Sequence, residues 1–333
     1  MAQPSPPARA LTVGVVLLPD FTMLAFAAFL DTLRLAADEG DRSRPIACGW
    51  TVMTEDGRPV RASNGVAVEP DSGLADPAAF DYVAVVGGTL HSGARAGPRL
   101  DAWLRGAAGT TPLIGLCTGS FALARAGLME GRRTCVSWFH LQEFQAAFPH
   151  LDAVADRLFV EDRGRTTCAG GTGVIHLASH LVERHLGPGS AAKGLRVMLE
   201  DRARPATAPQ PLPDAVDPRR ITDPRVRRAV LLMERRLEHP RPLPEIAAEL
   251  GVSTRQLSRL VKAGTGHAPA RLREELRLAR ARDLLLNGDL PVTEVALRCG
   301  FADGPHFARR YRRRFGESPS AARGRPDPGR RAP

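Results

Sequence analysis

One pattern is written twice near the end of this 333-residue chain. Glu245-Ile246-Ala247 is followed, four residues after its alanine, by Gly251, and then by Leu257 and Arg259. Glu294-Val295-Ala296 is followed at the same interval by Gly300, and then by Phe307 and Arg309. Two helices that cross at a tight turn need this order. A small residue on the first helix lets the second pass close above it. A glycine takes the turn, where φ is often positive, and a large apolar residue on the second helix fills the gap. Two such units about 50 residues apart, each with a basic second helix, predict a helical domain with two heads for reading DNA.

Charge follows the same division. Lys and Arg number 46 against 36 Asp and Glu, a net charge of +10. From Pro224 onward there are 24 basic and 12 acidic residues, +12, which leaves −2 for everything before it. A near-neutral body with one strongly basic module implies a polyanionic partner for that module alone. The five cysteines (Cys48, Cys117, Cys135, Cys168 and Cys299) are scattered without a CxxC pair, which predicts free thiols in a reducing compartment. No signal-peptide pattern and no run of ~18 apolar residues occurs, so a soluble, cytoplasmic protein without membrane contact is expected.

Along the first 200 residues, buried strands alternate with helices. Leu11–Leu18, Trp50–Thr54, Asp81–Val86 and Pro112–Gly115 read as strands. Phe21–Ala37 and Pro98–Ala107 read as helices, and Asn64-Gly65 as a hairpin turn. Short strands at Arg157–Val160 and Thr166–Cys168 and a helix from Thr172 to His185 follow. The alternation predicts a doubly wound parallel sheet, α/β in class and flavodoxin-like in its winding. Five prolines between Arg204 and Pro218 predict a semi-extended linker. The expected domains are therefore a disordered N-terminus (1–9), an α/β domain (10–203), a linker (204–222), an all-α domain (223–323) and a disordered tail (324–333).

In the all-α domain the first recognition helix is expected from Thr254 to Lys262, capped by Ser253, with Leu257 and Leu260 inward. Arg255, Gln256, Ser258 and Arg259 then face outward. Arg can grip guanine O6 and N7, and Gln can pair with adenine N6 and N7. A long helix from Pro269 to Leu286, stopped at Asn287-Gly288, joins the two motifs. The second recognition helix starts near Asp303, and Gly304 and Pro305 fill its first turn. Arg309 and His306 are therefore expected to read bases there, with Arg310, Arg312 and Arg313 on phosphates. GFADGPHFARRYRRRFGESPSAAR, with the upstream EIAAELGVSTRQLSRLVK, resembles the C-terminal domain of AraC/XylS transcriptional regulators. The resemblance spans Asp223 to Arg323. It implies two helices entering successive major grooves of promoter DNA, a homodimer, and RNA polymerase as a partner.

Gly115-Leu116-Cys117-Thr118-Gly119-Ser120 sits at a strand-to-helix junction, as a nucleophile elbow does. A helix N-terminus at such a site lowers a thiol's pKa. The segments VGVVLLPDF, DYVAVVGG, LIGLCTGSFALARAGLMEGRRTCVSW and TCAGGTG resemble the ThiJ/PfpI branch of the class I glutamine-amidotransferase-like fold. Joined to an AraC-type domain, this looks like the GlxA-type regulators, in which the fold serves as a sensor. Catalytic members of the fold add an acid on the first helix and a His before the Trp of this segment. Here those positions fall near Ala25 and at Ser137; Asp31 lies almost two turns beyond the former, and His140 points elsewhere. Without base or acid, Cys117 is expected to be catalytically silent.

The ends of the strands remain the expected ligand site: Asp20, Gly87, Gly88, Thr89, Cys117, Thr118, Ser137 and Trp138. The amides of Gly87–Thr89 and the one after Cys117 are placed to hold a carboxylate. Trp138 is either a face for a quaternary ammonium or, as the better reading, a core side chain. His176, His180 and His185 share one helix, the first pair at zinc-binding spacing; without a third ligand they read as surface histidines, and neither metal nor cofactor is expected. The whole reads as a ligand-sensing transcriptional regulator, its effector class being amino acids and amines by the same resemblance. The alternatives are a Cys117-dependent amidase- or hydratase-like enzyme that also binds DNA, and a DNA-binding protein whose α/β domain only dimerises.

Overall fold

A computed structural model describes residues 10–38, 42, 46–90, 97–211, 216–217, 221–234, 237–287 and 290–323. The disordered ends expected at 1–9 and 324–333, and the Gly288 helix stop, lie outside the described residues. Contacts divide the chain into two units, Met1–Gln210 and Pro211–Pro333.

The first unit runs β1 (Leu11–Leu17), α1 (Met23–Ala37), β2 (Cys48–Met53), β3 (Val60–Arg61), β4 (Ala67–Val68) and β5 (Tyr82–Val86). It continues α2 (Pro98–Ala107), β6 (Leu113–Leu116), α3 (Gly119–Arg125), β7 (Arg133–Cys135), α4 (Leu141–Ala147), β8 (Asp152–Val154), β9 (Phe159–Asp162), β10 (Arg165–Cys168), α5 (Gly173–Leu186) and α6 (Pro188–Val197). Six strands form the main sheet in the order β2-β1-β5-β6-β10-β9. All its pairings are parallel except β10–β9, which is antiparallel.

The strands are apolar on both faces because both faces are covered. Leu11, Val13, Val15 and Leu17 of β1 enter one core with Phe29 and Leu33 of α1 and Leu177 and Leu181 of α5. Val16 points the other way, to a second core with Leu100 and Leu104 of α2 and Phe144 of α4. The period-2 alternation of a strand thus divides one apolar run between two helical layers. The expected Asn64-Gly65 turn closes the antiparallel β3–β4 pair, with Gly65 at φ +88°. The parallel β7–β8 pair was not anticipated. Strands of three residues are too short to carry a periodicity.

The linker expectation needs correcting at its start. Residues 204–210 are strapped onto the first unit. Arg204 N donates to His176 Nδ1 at 3.3 Å, and Ala206 O accepts from Leu158 N at 3.0 Å. Gln210 is 2 % exposed, and its side chain bonds Trp138 N, Val136 O and Arg157 O at 2.8–2.9 Å. Proline content correctly removed helix and strand from this stretch, but an extended segment can still be hydrogen-bonded at every turn.

The second unit consists of α7 (Pro224–Glu234), α8 (Leu243–Glu249), α9 (Thr254–Thr265), α10 (Pro269–Asn287), α11 (Val292–Arg298), α12 (Gly304–Phe315) and α13 (Pro319–Arg323). Each turn unit has its own core. Ala247 and Leu257 lie in the first with Leu272 and Leu276 of α10. Ala296 and Phe307 lie in the second with Leu278, Ala281 and Leu285 of the same helix. Gly251 and Gly300 take φ of +67° and +76°. Small residue, left-handed turn and apolar plug recur as the repeat predicts.

Candidate functional site

On α9 the buried side is Leu257, Val261 and Thr265. Arg255, Arg259 and Lys262 are exposed at spacings of four and three, so they stack along one outward face. Lys262 belongs to that face because the helix continues past it to Thr265; counting on from Arg259 by three would have found it. Two residues assigned to base reading are otherwise engaged. Ser253 Oγ accepts from Gln256 N at 3.2 Å, and Gln256 Oε1 accepts from Ser253 N at 3.0 Å. This is a reciprocal capping box, which satisfies two helix-end donors. Bidentate pairing with adenine needs the amide oxygen as an acceptor. Gln256 commits one lone pair of that oxygen to the cap, which ties its side chain to the helix end. Ser258 Oγ donates to Thr254 O at 2.9 Å, which leaves its hydroxyl able only to accept. The side chains left outward on α9 are Thr254, Arg255, Arg259 and Lys262.

On α12, Asp303 caps the helix by accepting from His306 N at 2.6 Å, and Phe307 and Tyr311 are buried. Arg309, Arg312 and Arg313 are exposed. Like charges three and four apart repel along a helix, and a phosphate backbone relieves that repulsion. His306 and Arg310 do not belong to this set. Arg310 Nε donates to His306 Nε2 at 3.2 Å and lies 3.2 Å from Glu274 Oε1 on α10. Their heads turn toward α10, so the outward face narrows to Arg309, Arg312 and Arg313.

At the carboxyl ends of the strands, three chain segments meet closely. After β1, Asp20 takes φ +54°; its N–H donates to Arg61 O and its carbonyl accepts from Thr89 N at 3.1 Å. After β5, Gly87 N donates to Leu116 O, and Gly87 O accepts from Thr22 N. A Cβ on Gly88 would stand 1.7 Å from Asp20 O, which only glycine avoids. After β6, Cys117 takes φ +55° and α3 begins two residues later: the strained elbow that the sequence predicts is present.

The amides are not placed as expected, however. Those of Gly87 and Thr89 bond within the fold, to Leu116 O and Asp20 O. Gly87 and Thr89 therefore do not offer their amides to a carboxylate, which narrows that expectation to the amides of Gly88 and Thr118. Thr118 is itself buried, with Oγ1 donating to Gly88 O at 2.9 Å. Burial pushes the Cys117 thiol above its ordinary pKa, and its contacts with Thr22 Oγ1 (3.6 Å) and the Thr118 amide pull it back only in part.

The acid and base positions hold what the sequence indicates. Ala25 is fully buried on α1, and Asp31 is 53 % exposed and paired with Arg34. Ser137 Oγ accepts from Phe139 N, and the His140 ring packs edge-on against Phe139 and Phe121. Trp138 is 38 % exposed, not a core side chain, and stands edge-on to Phe139 at 5.7 Å. Asp20, Gly87, Gly88, Thr89, Cys117 and Thr118 are thus gathered by direct contacts, whereas Ser137 and Trp138 are held by Phe139 and Gln210. Gln210 is the residue that sequence reasoning missed, because it was assigned to the linker.

Of the three histidines expected on the surface, His176 needs correction. His176 is 2 % exposed, and burial together with Arg204 lowers its pKa. His180 meets Glu161 at 2.9 Å and His185 meets Tyr82 Oη at 3.2 Å. Each answers to a different neighbour. All five cysteines are free thiols. Among the described residues, no helix is long and apolar enough to cross a membrane.

Comparison with known proteins agrees with both units. Residues 246–325 match the helix-turn-helix domain family, and residues 44–184 match the DJ-1/PfpI family. The HTH-type transcriptional regulator GbdR of Pseudomonas aeruginosa is 36% identical over 323 residues, covering 92% of this chain and 83% of that protein. The regulator CdhR of the same organism is 36% identical over 310 residues, covering 92% of this chain and 90% of that protein. GlxA of Rhizobium meliloti is 31% identical over 211 residues, 63% of this chain and 64% of that protein. An α/β unit with a strand-end elbow, followed by two basic helix-turn-helix motifs, defines a DNA-binding transcriptional regulator. The chain belongs to the AraC-type family of such regulators that carry a DJ-1/PfpI domain.

Proposed function

We propose that the DJ-1/PfpI unit is a catalytically silent sensor of a small amino-acid or amine metabolite, and that α9 and α12 read promoter DNA in successive major grooves. The observation that carries the first half is the surrounding of Cys117. Its thiol is raised by burial and touched by Thr22, while Ala25 and Ser137 occupy the positions at which the resemblance to catalytic members of the fold implies an acid and a base. Attack on an amide needs a thiolate and a proton donor for the leaving amine, and neither is supplied. Two outward basic faces, one per turn unit, support the second half. A homodimer acting in the cytoplasm alongside RNA polymerase completes the reading, supported by the regulators to which the chain is similar.

The test is DNA binding by the full-length protein with and without a panel of amino acids and quaternary amines, beside an assay for ammonia release from amides. The expected result is a change in DNA affinity with one metabolite class and no release of ammonia. The response should weaken in Trp138→Ala and survive in Cys117→Ala. Ammonia release that disappears in Cys117→Ala would establish the enzyme instead. A panel without effect on either DNA affinity or thermal stability would leave the α/β unit as a dimerisation module.

A further inference from the structure

Glu275 of α10 is a buried carboxylate, 5 % exposed, with a guanidinium on each oxygen. Oε1 lies 2.5 Å from Arg271 Nη2, and Oε2 lies 2.5 Å from Arg314 Nε on α12. The adjacent Glu274 lies 2.8 Å from Arg271 and 3.2 Å from Arg310. Arg310 and Arg314 are one helical turn apart, so α12 offers two guanidiniums in a row to two carboxylates in a row. A buried carboxylate is tolerated only while such partners neutralise it, which makes the arrangement stiff. Its position on α10 matters as much as its strength. Leu272 and Leu276, on either side of the two glutamates, are embedded in the core of the first turn unit, whereas Phe307 and Tyr311 of α12 belong to the core of the second.

We propose that Glu274 and Glu275, clamped on Arg310 and Arg314, fix the rotation of α12 about α10 and so determine which spacing of the two half-sites the protein accepts. Inserting one base pair turns the second groove by ~35° and moves it by ~3.4 Å relative to the first. A clamped α12 cannot follow such a step; an unclamped one can swing. The inference rests on the two-groove reading above, and its experiment separates the two.

The probe is a duplex enriched from a random-sequence pool on the full-length protein, footprinted and then remade with one or two base pairs added or removed between the protected grooves. Wild type should lose at least ~30-fold in affinity per step, the scale of a lost half-site contact. Glu275→Gln keeps the size of the side chain and removes no positive charge. In it the spacing penalty should fall below ~5-fold, with affinity for a duplex carrying only the first half-site unchanged. A role confined to folding would lower affinity for all spacings by one factor. Arg314→Ala, paired with Glu275→Gln so that no buried carboxylate is left with a single partner, should relax the spacing likewise. If Arg314 served phosphate instead, that variant would weaken every duplex equally with the spacing preference intact, and the clamp would be disproved. An unchanged spacing penalty in Glu275→Gln overturns it too. A footprint over one groove alone overturns the two-groove reading and this inference together.

Discussion

Gly251 and Gly300 stand at equivalent turns under unequal constraint. Both hold a positive φ, which costs a residue with a Cβ about 1–2 kcal/mol. A Cβ on Gly251 would meet nothing within 4 Å, whereas one on Gly300 would come 2.2 Å from Leu237 O and 2.8 Å from Arg277 Nη2. Gly251→Ala should therefore lower stability by about 1–2 kcal/mol, and Gly300→Ala by roughly 2 kcal/mol more, since the carbonyl it meets is backbone. Thermal melts of the full chain followed by helical circular dichroism would show it; equal midpoints for the two variants would refute the difference. The same resolution applies to α9. Gln256→Ala should cost about 1 kcal/mol of stability through the capping box and leave base preference unchanged. Arg259→Ala should cost about 1–3 kcal/mol of binding at one base position and relax specificity there. Binding measured across single-base variants of an enriched duplex decides between them, and a base-specific loss in Gln256→Ala would restore it as a reader.

At the scale of elements, α7 carries a carboxyl that its surroundings do not suit. Burial pushes Glu234 up to about 7, against a partial pull from Arg280. A carboxyl whose folded pKa exceeds its unfolded value takes up a proton on folding. Its contribution is present below the unfolded value of about 4.3 and is lost as pH rises through 7. Glu234→Gln, which stays neutral, should gain on the order of 2 kcal/mol relative to wild type between pH 4.5 and 8. Urea denaturation at both ends of that window measures it, and a difference that does not change with pH would place the carboxylate in water. Most elements were legible in the sequence because their cause is local. Pro98 opens α2, Ser253 caps α9, and the apolar runs of β1 and β5 can only be strands covered twice. What was not legible depends on partners far along the chain. Gln256 looks like a reader until Ser253 claims its oxygen, Arg310 looks like a phosphate contact until Glu274 stands opposite it, and the Thr89 amide looks free until Asp20 O stands against it. Spacing identifies which residues share a face; it does not say which neighbour arrives there first.

For the whole molecule the decisive residue is Gln210, where the first unit ends. Its side chain anchors that end on the loop of Val136 and Trp138. A proline-rich reading would end the domain near residue 203, and a fragment cut at 205 would be the natural one to express. The contacts predict that this cut is damaging. It removes Ala206 O from Leu158 N, together with the three side-chain bonds of Gln210, and leaves the carbonyls of Val136 and Arg157 without that donor. Removing a partner from a buried polar group costs about 1–3 kcal/mol each, and two such losses already reach roughly 3 kcal/mol. In a unit of this size that corresponds to about 6–12 °C in Tm. Fragments 1–205 and 1–210 should therefore differ in thermal midpoint by that amount, with the longer one approaching the first transition of the full chain. Gln210→Ala in the full chain should reproduce a large part of the loss. Equal midpoints for the two fragments would mean that residues 206–210 only lie on the surface, and the anchored end of the unit would then be Arg204 on His176.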